Sequence, residues 1–332
     1  MDILLGNGLI SFNPSKLLYG VMFENKAFII VNPEAGDGLA AKRWKKFQFQ
    51  LIEKNIPFEF CFTEYRDHAT EIVKGAVQKG FTRIGTFGGD GTVNEVLQGI
   101  FENDEAISPE LKLIYFPAGS SCDFEKIFSE KKDPLEKIRS DNSTAIDVFK
   151  VECRGFDGMP ISRYIINNSS IGVISLANEK FNSVSGISKS IKQWSVDAGA
   201  IICGIKALIE TEDFECEVQL DDNKINGLTL SNLTVFKTPY FGGGMNYGIE
   251  TLQDDGLVTV AFINSTSKLK LLSMIPSLYT GKIFKRKAAW NRQCKTIEIK
   301  TDKKVIVETD GENIGVTPAK YTILEKALNV VV

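Results

Sequence analysis

Three glycine-bearing turns, each at the end of a short apolar run, constrain this chain more than any other feature. AFIIV (Ala27–Val31) runs into NPEAGDG, TRIGTF (82–87) into GGDGT, and LKLIYFP (111–117) into AGSSCDF. Between the first two turns, Ala40, Trp44, Phe47 and Leu51 recur at helical spacing. FEFCFTE (58–64) reads as a further strand, and Ile72, Val73, Ala76 and Val77 mark a second helix that Gly80 closes. Behind GGDGT, Val93, Val96, Leu97 and Ile100 again fit one helix face. Strands alternating with helices imply a parallel sheet covered on both faces, with its strand-end turns along one edge, where ligands bind. Glycines let a ligand approach bare backbone, and helix N-termini favour anions. These turns predict a phosphate or nucleotide site. Thr92 and Glu95 read as a capping box opening the helix behind the second turn.

The texture changes after STAIDVFKVECRG (143–155). SRYIINNSSIGVISL, FECEVQL, INGLTLSNLTVF, LVTVAFI and KTIEIKTDKKVIVETDG read as alternating β segments, with a hairpin turning at DDNK and one helix at about 191–210. The expected architecture is an N-terminal arm (1–26), an α/β nucleotide-binding domain with a parallel sheet (27–146), and a mainly antiparallel β-sandwich domain (147–332).

Composition closes off other classes. The net charge of −3 gives no general field for nucleic acid, so no nucleic-acid partner is expected. The six cysteines are scattered without metal-ligand spacing and read as reduced thiols of a cytoplasmic protein. A single histidine, His68, rules out a paired-histidine metal motif. No apolar run approaches the roughly 20 residues of a membrane span, and the apolar start of the chain is broken by Asn, Gly and Pro, so no signal peptide is expected. GxxxxGK[ST] is absent, Asn94 stands where the last glycine of GxGxxG would fall, and the protein-kinase motifs are missing.

Asp90 sits inside the second glycine turn. A carboxylate there repels bare phosphate but suits Mg²⁺ carried by a nucleotide. It equally suits a turn residue that bonds its own backbone. NPEAG, GGDGT and PAGSSCDF, followed by YFGGGM, LQDDGL and TDGE, resemble in content and order the motifs of the diacylglycerol kinase catalytic family, which includes bacterial soluble lipid kinases and sphingosine kinases. The resemblance spans residues 27–330 and implies ATP, Mg²⁺ and transfer of the γ-phosphoryl group to a lipid hydroxyl at a membrane surface. Diacylglycerol, giving phosphatidic acid, is the first candidate acceptor. Sphingoid bases, ceramide, an NAD-type soluble substrate, or nucleotide binding without turnover are the alternatives.

Matched by motif, the nucleotide falls to Asn32, Pro33, Gly36, Lys42, Thr63, Gly88, Gly89, Asp90, Gly91, Thr92, Asn94, Glu95, Gly119 and Ser120. The resemblance places Asp90, Asp123 and Asp147 around the catalytic Mg²⁺. It makes Asp310 the base, with Glu312 as its rival. It places a separate structural Mg²⁺ on Asp255 and the carbonyls of Leu252 and Leu257. On residues alone, Asp310-Gly311 is also an ordinary hairpin turn. Two positions depart from the family pattern: Ser120 replaces threonine and keeps a hydroxyl, whereas Cys122 replaces asparagine and loses an amide. Residues 268–290 mix apolar side chains with Lys282, Lys285, Arg286 and Lys287, the composition either of an interfacial patch for peripheral membrane association or of a helix with a solvated face. Oligomeric state stays open, a homodimer included.

Overall fold

Strand β1 (Ala27–Val31) is buried along its whole length, and the reason lies in its neighbours. It pairs in parallel with β2 (Phe58–Phe62) on one side and β3 (Arg83–Gly88) on the other, and β4 (Lys112–Pro117) extends the parallel order beyond β3. Phe28 and Ile30 pack with Val73, Val96 and Leu97, while Ile29 and Val31 pack with Trp44, Phe47 and Leu51. Both faces of the strand are therefore covered, and its apolar run is continuous rather than alternating. Helix α1 (Leu39–Glu53) lies on one face; α2 (His68–Gln78) and α3 (Asp90–Ile100) lie on the other. The residues expected to face inward do so: Ala40, Trp44, Phe47 and Leu51 on α1, and Val93, Val96, Leu97 and Ile100 on α3. Gly80, at φ 94°, carries the chain out of α2. A short α4 (Pro134–Arg139) comes next, its Asp133 cap accepting from the Leu135 amide.

The computed structural model describes residues 26–128, 132–182 and 196–332. The N-terminal arm lies outside them except for Lys26, and so do residues 191–195 of the helix expected at 191–210.

Two long strands tie the α/β lobe to the second lobe. β5 (Ser143–Arg154) and β14 (Glu312–Val331) pair antiparallel from Arg154↔Val316 to Ser143↔Val331. At the far end of β14, Asn329 and Val330 also pair in parallel with Lys112 and Leu113 of β4. One 14-stranded sheet thus runs through both lobes, and the division at 146/147 falls inside β5.

The remaining strands of this sheet are β6 (Pro160–Ile165), β7 (Asn168–Gly172), β8 (Phe214–Leu220), β9 (Asn223–Phe236), β10 (Val258–Asn264), β11 (Ala289–Cys294), β12 (Thr296–Thr301) and β13 (Ile306–Thr309). Their pairings are antiparallel, and β8 alternates buried and exposed positions strictly. β8 and β9 turn at Asp221, φ 51°, as the DDNK pattern predicts. GVISL departs from expectation. Only its glycine is strand: β7 stops at Gly172, φ 110°, and Val173 opens α5 (Val173–Asn182). A Cβ at Gly172 would lie 2.5 Å from the Ser231 carbonyl, so only glycine allows this exit. Helices α6 (Val196–Glu210) and α7 (Lys268–Tyr279) complete the second lobe. Leu208, Phe236, Phe241, Tyr247, Leu271, Met274 and Ile283 form a small apolar cluster of their own.

Candidate active site

The three glycine turns meet at the carboxyl edge of the parallel sheet. The Asn32 amide donates to the Phe87 carbonyl (3.0 Å), the Ala118 amide donates to Gly88 (2.7 Å), and Asn32 Nδ2 donates to Thr92 Oγ1 (3.0 Å). Two of the turns all but touch: a Cβ on Gly119 would sit 2.4 Å from Gly89 Cα. Gly36, at φ 62°, comes as close to the third, because a Cβ there would lie 2.9 Å from the Ala118 carbonyl.

The capping box does not form. Helix α3 already starts at Asp90 behind an extended Gly89, so Thr92 and Glu95 lie inside the helix. With the first turn displaced, their side chains serve neighbours instead. Thr92 accepts from Asn32, and Glu95 Oε2 accepts from the Ala69 amide at the start of α2 (3.2 Å).

A single cavity of about 550 Å³ opens from these turns. One end is polar and lined by Asn32, Gly36, Gly89, Asp90, Gly91, Thr92, Glu95, Gly119, Ser120 and Asp123. The other end is apolar, with Val173, Ile174, Leu208, Phe241, Leu271, Met274, Ile275 and Leu278. Asp310 lines the cavity as well. Four residues assigned to the nucleotide by motif do not line it. Pro33 is half-buried beside Asn32, and Gly88 packs under Thr92. Thr63 donates its amide to Val31 at the strand ends, and Lys42 lies on the exposed side of α1. A fifth, Asn94, turns away from the loops: its amide donates to Asp310 Oδ2 (2.8 Å).

The carboxylates do not form one cluster. Both oxygens of Asp90 are held by backbone, accepting from the Asp123 amide (2.9 Å) and the Phe124 amide (3.1 Å). Burial, and after it the Asp123 charge, push the Asp90 carboxyl up to about 6. Asp123 is in turn held by Lys126 Nζ at 2.6 Å. Asp90 and Asp123, together with phosphate oxygens, make the kind of donor set Mg²⁺ takes.

Asp147 does not join them. It is fully buried against Lys237 Nζ (2.8 Å), which also donates to Asp255 Oδ1 (2.8 Å) and the Leu257 carbonyl (2.9 Å). The position expected for a structural Mg²⁺ thus holds an ammonium group, and Leu252 is 65% exposed. Among the described residues, no three His, Cys, Asp or Glu side chains are arranged to bind a metal.

Asp310 and Gly311 form a two-residue turn between β13 and β14, with φ 44° and 94°. The hairpin turn is present, and it folds the Asp310 carboxylate inward. It accepts from Asn94 Nδ2 and from the amides of Ile166 (3.2 Å), Asn167 (3.1 Å) and Asn168 (3.0 Å). Burial outweighs these donors and raises its pKa to about 6. Glu312 lies nearer solvent and is paired with Arg66 at 2.9 Å.

Nothing in the sequence singles out Glu308. It is buried, lines the cavity, accepts from the Gly311 amide (2.6 Å), and has its second oxygen unpartnered. Burial lifts its pKa to about 8. A carboxyl whose folded pKa exceeds its unfolded value binds its proton more tightly in the native state. Its contribution is therefore full below about 4.5 and lost as pH rises through 8. Asp90 and Asp310 act in the same direction around 6. Glu308→Gln is expected to flatten the fall in melting temperature between pH 5 and pH 8.5. An unchanged slope in calorimetric scans would show that Glu308 does not carry this pH dependence.

Cys122 adopts φ 49° at the start of the 3₁₀ turn Asp123–Ile127. Asparagine tolerates this left-handed region better than cysteine does. Cys122→Asn is expected to stabilise the fold by up to about 1 kcal/mol, seen as a higher denaturant midpoint. A lower midpoint would mean that the thiol's packing outweighs its backbone strain.

The glycine turns of the α/β lobe and the apolar side chains of the β lobe thus line one cavity. Residues 26–151 match the diacylglycerol kinase catalytic domain, and residues 170–332 match the YegS C-terminal NAD kinase β-sandwich-like domain. The chain belongs to the diacylglycerol kinase catalytic-domain family, and it is a kinase of the lipid kinase type. It is similar to the diacylglycerol kinase of Staphylococcus haemolyticus, at 24% identity over 92% of this chain and 87% of that one. It is also similar to that of Staphylococcus carnosus, at 23% over 92% and 94%. Among solved structures, a diacylglycerol kinase of Bacillus anthracis shares the fold, with a TM-score of 0.71 and 21% identity over 92% of this chain and 96% of that one.

Proposed function

We propose that the protein transfers the γ-phosphoryl group of ATP to the free hydroxyl of diacylglycerol, giving phosphatidic acid. The observation that supports this most is the single cavity, which joins the glycine turns to an apolar wall and has Asp310 along it. A phosphoryl donor bound at the turns and an acyl chain lying against Leu271, Met274, Ile275 and Leu278 would meet beside Asp310. Phosphoryl transfer asks for positioning and charge neutralisation more than for covalent catalysis. Backbone amides at Gly89, Gly119 and the start of α3 hold phosphate oxygens, and Asp90 and Asp123 would hold Mg²⁺. When bound, the ion supplies charge neutralisation on the transferring group.

Asp310 accepts the hydroxyl proton. Its four donors fill its lone pairs, so the hydroxyl must displace one of them. Asn94 is that donor, because it is a side chain and lies 3.3 Å from a second acceptor, the Tyr164 carbonyl. The three backbone amides stay in place and keep the carboxylate aimed.

The apolar wall speaks against a soluble dinucleotide as acceptor. On the outside of that wall, Leu269 is 79% exposed, and Lys282, Lys285, Arg286 and Lys287 are exposed nearby. This pairing suits a peripheral approach to an anionic membrane surface. Among the described residues, no helix is long and apolar enough to cross a membrane. The reading is tested with γ-labelled ATP and Mg²⁺ against diacylglycerol, monoacylglycerol, sphingosine and ceramide in mixed micelles, with NAD as a soluble control. Label in phosphatidic acid is the expected result. Label only in another lipid, or in NADP⁺, would redirect the acceptor assignment, and no label in any product would overturn the proposal.

A further inference from the structure

Lys237 follows β9 directly and is as buried as any core residue, its side chain 1% exposed. An ammonium group has three protons to donate. Here all three find short acceptors: Asp147 Oδ2 at 2.8 Å, Asp255 Oδ1 at 2.8 Å and the Leu257 carbonyl at 2.9 Å. The acceptors are themselves fixed. Asp147 Oδ2 also takes the Gly256 amide (2.8 Å), Asp147 Oδ1 takes the Lys326 amide (2.8 Å), and Asp255 Oδ1 takes the Leu257 amide (3.1 Å). The Asp147 amide donates to the Gln253 carbonyl (2.6 Å), and Gln253 Nε2 donates back to the Lys237 carbonyl (3.1 Å). The loop around 253–257 is thereby strapped to β5, to β14 and to the end of β9.

Two carboxylates and a carbonyl around one point form an oxygen donor set for a hard cation. A Mg²⁺ ion would need oxygens at about 2.0–2.1 Å. It would overlap an ammonium nitrogen already bonded to the same three atoms. The residues present therefore do not fit a metal at this position.

We propose that the Lys237 ammonium is the permanent cation of this site, doing by covalent attachment what a bound divalent ion would otherwise do. The strap then needs no metal, and any metal dependence of the protein belongs to the Asp90–Asp123 end of the cavity. The strap's stability is measured in the absence of nucleotide and lipid, so it is independent of which acceptor the protein uses.

The test is the melting temperature of the full chain in EDTA and in millimolar Mg²⁺ or Ca²⁺. Wild-type protein is expected to melt at the same temperature in both. Lys237→Ala leaves two carboxylates facing a cation-sized gap. It is expected to melt several degrees lower in EDTA and to regain most of that loss with added divalent ion. Lys237→Ala/Asp255→Asn is expected to lose the regain. A wild-type protein that falls in EDTA, recovers in Mg²⁺, and loses this response on Asp255→Asn would overturn the proposal, as would Lys237→Ala melting like wild type. Should Lys237→Ala not fold, the wild-type and Asp255→Asn scans still decide. In that case the Asp255→Asn midpoint is expected to be lowered equally with and without divalent ion.

Discussion

Asp310→Asn is expected to lower kcat by about 10³-fold, some 4 kcal/mol of barrier. The carboxylate is the one acidic group that lines the cavity, is folded inward by its own hairpin turn, and is held by donors from both lobes: Asn94 on α3, and the amides of residues 166–168 where β6 passes into β7. Asparagine keeps the shape but cannot take the proton. It also places an NH₂ where two donors now point. Asn94 can turn its amide to accept, but the Ile166 amide is left without a partner, at about 1–3 kcal/mol of stability. The two effects separate when kcat is measured well below the variant's melting temperature. With the Asp310 carboxyl raised to about 6, the wild-type rate is expected to rise with pH through that value and then level off. Glu312→Gln is the control. Its partner Arg66 is largely exposed, such pairs are worth under about 1 kcal/mol, and activity within tenfold of wild type is expected. Wild-type turnover in Asp310→Asn, or a larger loss in Glu312→Gln, would exchange the two roles.

Much of this site was legible in the sequence because backbone geometry has a residue signature. Gly36, Gly89 and Gly119 sit where a Cβ would strike a neighbouring loop, so the chain spells out its own close approaches. The strands and helices of the α/β lobe follow from apolar spacing, since each inward position is filled from the opposite layer. Partnerships across the sequence had no such signature. Asn94 and Asp310 lie 216 residues apart, and Asp147 and Lys237 lie 90 apart. Lys237 shows in sequence only as a lone charge after an apolar run, and nothing local says that three oxygens wait for it. Asp147 was misplaced for the same reason: its motif match was short, and the cation that claims it is far along the chain. Thr92 and Glu95 failed as a capping box because the helix already starts at Asp90, which leaves both side chains to Asn32 and Ala69. Glu308 escaped because a buried carboxyl in a strand is recognisable only by its surroundings.

Asp90→Ala should match the loss at Asp310, about 10³-fold in turnover, but for a compound reason that a second substitution can take apart. Under the proposed function Asp90 would have two duties. Its oxygens anchor the amides of Asp123 and Phe124, which fixes the turn carrying the other metal-competent carboxylate. Its charge, with that of Asp123, is what a Mg²⁺–nucleotide would meet on entering the polar end of the cavity. Alanine removes both, so the melting temperature should fall together with activity. Asn retains one acceptor oxygen and most of the loop geometry while deleting the charge. Burial, and then Asp123, hold the Asp90 carboxyl near 6, so the charge is already costly to keep, and its removal should leave stability near wild type. Asp90→Asn is therefore expected to fold normally, to lose most of its turnover, and to need more Mg²⁺ for the activity that remains. If Asp90→Asn keeps wild-type turnover and an unshifted Mg²⁺ response, while only Asp90→Ala loses stability, then Asp90 is the anchor of the 123–124 turn and not a ligand. Asp123 would then have to hold the ion without a second carboxylate, with Lys126 released from it.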